Sequence, residues 1–373
     1  MKIKYGIALL ITIMGMELSA TEPVAYTSIR QVGMGSAGVA VTNTDSALFQ
    51  NPAILAESDT TFTPLQFQAR VGKDLVSVFS DLKSFSKGGS DSAQADLLKK
   101  LVPLNIVSGG TGSMSFSTSG FGFGVMSNVS VVGKLSNKVF PSLKLEGIAD
   151  VAPAVGYGRK FSVFGLDFDL GASAKYIVRN TMYDKITGTP YIELETSDLI
   201  KRVNDKTLTD SFKNSFKTTG FGVDLGLLTP FSIGETEGKW GVAVRNIGST
   251  LKGTMMMLDG QSVNQSIKLP MESVIGVSLK PNLPLLGQIE MASDYKMTPS
   301  EKIFKGLSMG VEKQLLWGHL SVRGGLHQGY PVAGFGVSLL KCHLDYAYQT
   351  YENGTQVGQD PISYHVLQAG IQF

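Results

Sequence analysis

The stretch LDFDLGASAKYIVR, Leu166 to Arg179, decides the fold. Its even positions Phe168, Leu170, Ala172, Ala174, Tyr176 and Val178 are apolar, while Asp167, Asp169, Gly171, Ser173, Lys175 and Arg179 hold odd positions, with Ile177 the one exception. A repeat of two places these sets on opposite faces of an extended strand. One face carries charges and the other carries none.

The same division recurs along the chain. In FGVDLGLL, Phe221, Val223, Leu225 and Leu227 oppose Gly222, Asp224 and Gly226; in WGVAVRNIG, Trp240, Val242 and Val244 oppose Gly241, Ala243 and Arg245. QIEMASDY sets Ile289, Met291 and Tyr295 against Gln288, Glu290 and Asp294, and HLSVRGGL sets Leu320, Val322 and Leu326 against Ser321, Arg323 and Gly325. HLDYAYQTY sets Leu344, Tyr346 and Tyr348 against His343, Asp345 and Gln349. A secreted antiparallel sandwich alternates in the same way, so length and connections must discriminate.

About fourteen candidate strands emerge, at 61–70, 111–118, 120–134, 147–158, 166–180, 218–230, 239–248, 271–280, 287–296, 303–315, 318–327, 332–338, 342–351 and 363–373. Most approach the length of about 9–11 residues that a tilted strand needs to cross a bilayer, against about five or six in an ordinary sheet. The long connections, 71–110, 135–146, 181–217 and 249–270, all follow odd-numbered strands, and those after even-numbered strands are all short. Long loops on one side and tight turns on the other characterise barrels of the outer membrane. The expected fold is therefore all-β, a transmembrane antiparallel β-barrel of about 14 strands. Leu367, Ala369, Ile371 and Phe373 alternate to the chain end, with His365 departing from the pattern, and the terminal aromatic resembles the C-terminal assembly signal of such barrels.

Composition bounds the rest. Lys2 and Lys4 precede an apolar run from Gly6 to Met16 that ends in Leu18-Ser19-Ala20, which predicts a signal peptide at 1–20 cleaved after Ala20. With 33 basic and 31 acidic residues, the chain lacks the concentrated positive charge that nucleic acid binding needs. The lone Cys342 rules out an internal disulfide framework. No later apolar run is long enough for a membrane helix.

Gly33, Gly35 and Gly38 spell the spacing of a dinucleotide-binding loop, with Glu57 at a suitable distance. That loop must follow a buried strand and open a helix within a parallel unit. YTSIRQ is a poor buried strand, and the chain lacks strand–helix alternation, so no nucleotide is expected. Instead, GMGSAGVAVTNTDSALFQNPAILAES resembles the N-terminal hatch, or plug, of the FadL family of outer-membrane transporters for hydrophobic compounds, in which a glycine-rich opening leads to an Asn-Pro-Ala motif, here Asn51-Pro52-Ala53. WGVAVRNIGST and LDYAYQTYENG resemble strand motifs of the related PorV and TraF-like branch. The resemblance implies a fourteen-stranded barrel with its N-terminal segment in the lumen. Residues 21–60 would be the hatch and 61–373 the barrel, with 71–110 and 181–217 as extracellular loops containing helices.

Candidate site residues follow. Gly33, Gly35, Gly38, Asn51, Pro52 and Ala53 are the candidate gate, the small residues permitting close packing and Asn51 capping a turn preset by Pro52. Asp169, Lys175, Arg179, Asp224, Arg245, Glu290, Asp294, Glu312, Arg323 and Asp345 should face the lumen, where mixed signs pair with one another. Leu75, Phe79, Leu82 and Leu98, on predicted loop helices, and Met255, Met256 and Met257, in a loop, are candidates for an apolar binding surface at the outer mouth. There a solute would gain roughly 25 cal/mol per Å² of apolar area removed from water.

His319, His327, His343 and His365 show no metal-ligand spacing, and no nucleophile motif is present, so neither cofactor, metal nor enzymatic activity is expected. The expected partners are outer-membrane lipid of a two-membraned bacterium and either a hydrophobic small molecule, long-chain fatty acid-like from the FadL resemblance, or an envelope protein docked as in a PorV-like assembly barrel.

Overall fold

The computed structural model describes residues 27–42, 47–78, 81, 90–205, 214–284, 287–297 and 303–373. The expected signal peptide, and the candidates Phe79 and Leu82, lie outside the described residues. Fourteen long strands form one ring: β1 (Thr61–Gly72), β2 (Leu104–Thr118), β3 (Phe121–Ser136), β4 (Ser142–Val163), β5 (Leu166–Met182), β6 (Ser215–Ile233) and β7 (Thr236–Ile247) make one half. β8 (Glu272–Lys280), β9 (Glu290–Met297), β10 (Leu307–Leu315), β11 (Leu320–His327), β12 (Tyr330–Leu339), β13 (Cys342–Glu352) and β14 (Pro361–Ile371) make the other.

Each strand pairs antiparallel with its sequence neighbour, and β1 pairs with both β2 and β14, which closes the ring. The seam continues past the register pair Leu65↔Ile371. Phe62 and Phe373 exchange both backbone hydrogen bonds, at 3.0 and 2.9 Å, and their rings lie 6.4 Å apart. The terminal aromatic is thus part of the closure, and the fourteen-stranded ring has no unpaired edge strand.

The period of two reads through to exposure. On β5, Asp169, Ser173, Ile177 and Arg179 are buried, while Leu170, Ala172, Ala174 and Tyr176 are exposed. Every strand contributes an exposed large apolar side chain, among them Phe67, Phe123, Phe221, Trp240, Phe335 and Leu367. An apolar band around a closed antiparallel ring belongs against lipid. His365 does not break this face: it lies on it, with Nδ1 2.8 Å from the Tyr346 hydroxyl and its ring beside Tyr348.

The connections correct several sequence expectations. Residues 135–146 are not a long loop, because β3 and β4 stay paired to Ser136↔Ser142. β2 starts at Leu104 rather than 111, with its first residues paired to the top of β3. The 249–270 connection folds as a β-hairpin, Thr250–Met256 against Ser262–Lys268, rather than as an irregular loop. The expected loop helices are present as α2 (Lys73–Ser77), α3 (Asp91–Leu101), capped by Ser90, and α4 (Thr196–Asn204), and they follow α1 (Ile29–Gly33) in the N-terminal segment.

Candidate functional site: the occupied lumen

The N-terminal segment touches the inner wall on opposite sides of the ring, so it lies inside it. Ser28 caps α1 through a capping box with Gln31. Ile29 and Val32 of this short helix pack on Ala347 of β13 and Val366 of β14. Met34, Ala37 and Val41 then meet Ala292 of β9. Val39, Ala40, Leu48, Phe49, Ile54 and Leu55 share a core with Ala154 of β4, Leu228 of β6, Ala243 of β7 and Val274 of β8. The segment ends in a 3₁₀ turn, Pro52–Glu57, immediately before β1.

Glycine on both partners permits this contact. Gly35 adopts φ +70°, turning the chain after α1, and any side chain there would strike the backbone of Met309 and Leu326. On the wall, a Cβ at Gly171 or Gly226 would collide with Pro52 or Asn51, and one at Gly158 would stand 2.7 Å from the Ala56 nitrogen. Gly33 lies against Arg323 and Gly334, and Gly38 lies against Gln31. Asn51 is fully buried: its Nδ2 donates to the Val39 carbonyl at 2.7 Å and its Oδ1 accepts from the Ala53 nitrogen at 3.1 Å. The glycine-rich pattern therefore follows a helix instead of opening one, the reverse of a dinucleotide loop.

Charge fastens the segment to the wall. Arg30 donates through Nε and Nη2 to Glu312, at 2.9 and 2.8 Å, and through Nη2 to Glu290. Glu312 also accepts from Arg323 at 2.7 Å, and Arg323 reaches Asp345 at 2.6 Å, so one chain of alternating charge runs from α1 across β10, β11 and β13. Asp294 accepts the backbone N–H groups of Gly38 and Val39 at 2.7 and 2.9 Å. Lys239 pairs with Glu57.

Other wall charges pair with one another: Lys175 with Asp224 at 2.8 Å, Arg179 with Asp150 in a two-bond fork at 2.8 and 2.7 Å, and Arg245 with Glu272 at 3.1 Å. All ten sequence-selected charges are thus on the lumen side. Sequence reasoning missed Arg30, Glu57, Asp150 and Glu272. Asp150 and Glu272 sit on strands at inward positions and were legible by parity, whereas Arg30 precedes the first strand and offered no such signal.

Among the described residues, the candidate apolar side chains at the mouth do not gather into one pocket. Leu98 is buried with Leu101, Leu104, Leu143, Leu194 and Ile200, in a core that joins α3 and α4 to the strand tops. Met255 is buried in a separate cluster with Tyr183 and Phe216, Met257 is partly covered by it, and Met256 is exposed. Leu75 is half-buried on α2. A cavity of about 1150 Å³ at this end is lined by Asp91, Phe140, Glu193, Glu195, Ile200 and Lys201 among others, so charged and apolar side chains share its wall. These apolar residues meet one another because burial removes their surface from water. Among the described residues, no group of three His, Cys, Asp or Glu side chains could hold a metal ion.

The fold and its lumen define a transmembrane β-barrel with an occupied interior. No family model matches the sequence, and no curated protein matches it. Among solved structures the chain is similar to the CymD monoaromatic hydrocarbon channel, at 12% identity over 94% of this chain and 97% of that one, with a TM-score of 0.48. It is similar also to the toluene transporter TbuX of Ralstonia pickettii (13% identity, 92% and 96% covered, TM-score 0.47) and the toluene transporter TodX of P. putida (12%, 92% and 96%, 0.46). None of these three is a PorV or TraF protein, so that finer resemblance rests on the two strand motifs alone.

Proposed function

We propose that this chain is a passive channel of the outer membrane for hydrophobic small molecules, with residues 27–57 as its gate. The observation that carries the reading is the way the lumen is closed. One segment, joined covalently to the wall only where it enters β1, fills the lumen through side-chain contacts, polar latches and glycine-lined grooves. Such an element can leave its seat without breaking any strand pairing. The FadL resemblance of residues 33–53 agrees with it.

A disulfide lock tests the gate. Gly33 and Gly334 face each other closely enough for Gly33→Cys with Gly334→Cys, in a Cys342→Ser background, to bridge. Reconstituted in lipopolysaccharide-containing membranes, the oxidised protein should lose toluene flux and regain it on reduction. Flux indifferent to oxidation would remove the gate.

The alternative, a non-conducting docking barrel, has one observation behind it. The short turns carry bulky apolar tips, Phe164, Trp317 and Leu340, at 96–102% exposure and in left-handed backbone conformations. Native mass spectrometry of protein from its own membrane separates the readings: a retained protein partner lost on changing these three residues to Ser favours docking, and a retained apolar small molecule favours the channel.

A further inference from the structure

One lumen arginine pairs with no acid among the described residues. Arg70 sits on the inward face of β1, in register with Gly109 of β2, and its side chain lies across β2 towards β3. Its Nη2 donates to Asn128 Oδ1 at 2.8 Å and approaches Thr111 Oγ1 at 3.5 Å. Its Nε is buried and meets no acceptor among the described residues, and the same holds for Nδ2 of Asn128, whose side chain is 1% exposed. The other lumen arginines, Arg30, Arg179, Arg245 and Arg323, each pair with a carboxylate among the described residues. Arg70 pairs with none of them, and its surroundings are neutral: Gln68, Thr111 and Ser130.

A guanidinium has five donors, no acceptor, and keeps its charge in proteins. Withdrawing it from water without a counter-charge is costly, and a donor-only locus of this kind is complementary to an anion. We infer that Arg70, supported by the Asn128 amide, binds the carboxylate of a small organic acid within the lumen. A planar two-oxygen group matches the fork of a guanidinium, and one cation balances a monoanion better than a dianionic phosphate. The inference deepens the channel reading and rests on it for the route by which the acid arrives.

The test is isothermal titration of the full mature chain in mild detergent with benzoate and with benzamide, a neutral molecule of the same shape. Wild type should prefer benzoate at least tenfold. Arg70→Gln should lose that preference and Arg70→Lys should keep part of it, while all three proteins keep the gel mobility of an unheated folded barrel. Equal binding of the two probes by wild type, no binding of benzoate, or unchanged benzoate binding in Arg70→Gln overturns the site. Benzoate binding together with absent toluene flux keeps the site and discards the channel.

Discussion

The wall from β7 round to β13 and the wall from β1 to β3 share one backbone pattern and are filled in opposite ways. The first carries Arg245, Glu272, Glu290, Asp294, Glu312, Arg323 and Asp345, each engaged with a neighbour or with the N-terminal segment. The second carries Gln66, Gln68, Thr111, Ser113, Asn128 and Ser130 around a single arginine, and the segment reaches it through the Thr27 carbonyl, which accepts from Gln68, and through Leu48 and Leu55 at Gly122 and Gly124 of β3. Buried charge fixes geometry because an unpaired ion is costly and a paired one is tolerated only in register. Neutral polar groups impose no such demand. The segment is therefore anchored on one side of the ring and lightly held on the other.

The sharpest way to break this contrast is Glu312→Gln. It leaves Arg30 and Arg323 sharing less charge than they carry, and loss of one partner from a buried network costs about 3–5 kcal/mol. The expected outcome is a barrel that still assembles but whose N-terminal segment is cut by protease, read by mass of the fragments. A segment as resistant as wild type would mean that packing alone holds it.

Gly171→Val should come next. Its side chain would intrude on the Pro52 backbone, an overpacking cost of about 1–3 kcal/mol. Denaturant midpoints of the folded barrel, with Ala172→Val on the lipid face as control, would show whether the inward face alone is sensitive. Asn51→Ala removes the turn cap and the bond to Val39, with an expected loss of about 1–2 kcal/mol read the same way. By contrast, Gln68→Ala on the neutral wall should change stability by less than about 1 kcal/mol, and a loss equal to that of Glu312→Gln would erase the distinction between the walls.

The smallest effect lies outside the membrane. Burial raises the Asp360 carboxyl, but hydrogen bonds and charge from Lys134, with Asn353 and Asn105, outweigh it and hold Asp360 below the usual aspartate range. A depressed carboxylate contributes stability that is present above its ordinary pKa and is lost as pH falls through the depressed one. Hydrogen exchange in the β13–β14 loop should therefore stay slow at mildly acidic pH and quicken only under stronger acid, and Lys134→Gln should move that change to higher pH.

Much of the barrel was legible from Leu166 to Arg179 onward. The strand pattern, the two faces and the inward position of all ten selected charges follow from a period of two, which is local and needs no partner. Ile177, the exception in that pattern, is explained by contact: it packs inside the lumen with Ala152, Leu251 and Leu269. Met255 and Met256 were misread as loop, because their pairing partner, Ser262–Lys268, lacks an apolar alternation strong enough to announce a strand. The described members of the candidate apolar surface, Leu75, Leu98 and Met255 to Met257, divide between separate contacts, because apolar helix faces state that they will be covered, without stating by what.

By itself the sequence determined which residues face lipid and which face inward, roughly where the strands lie, and that the segment before them is small and glycine-rich. Only the tertiary structure decided who meets whom. Arg30 finds Glu312 across 282 positions of chain, Gly38 finds Asp294 across 256, and Arg70 finds no carboxylate among the described residues. Side-chain direction is set by the dihedral pattern of each residue and its neighbours, whereas pairing across a lumen depends on ring closure and strand register, which no local stretch contains.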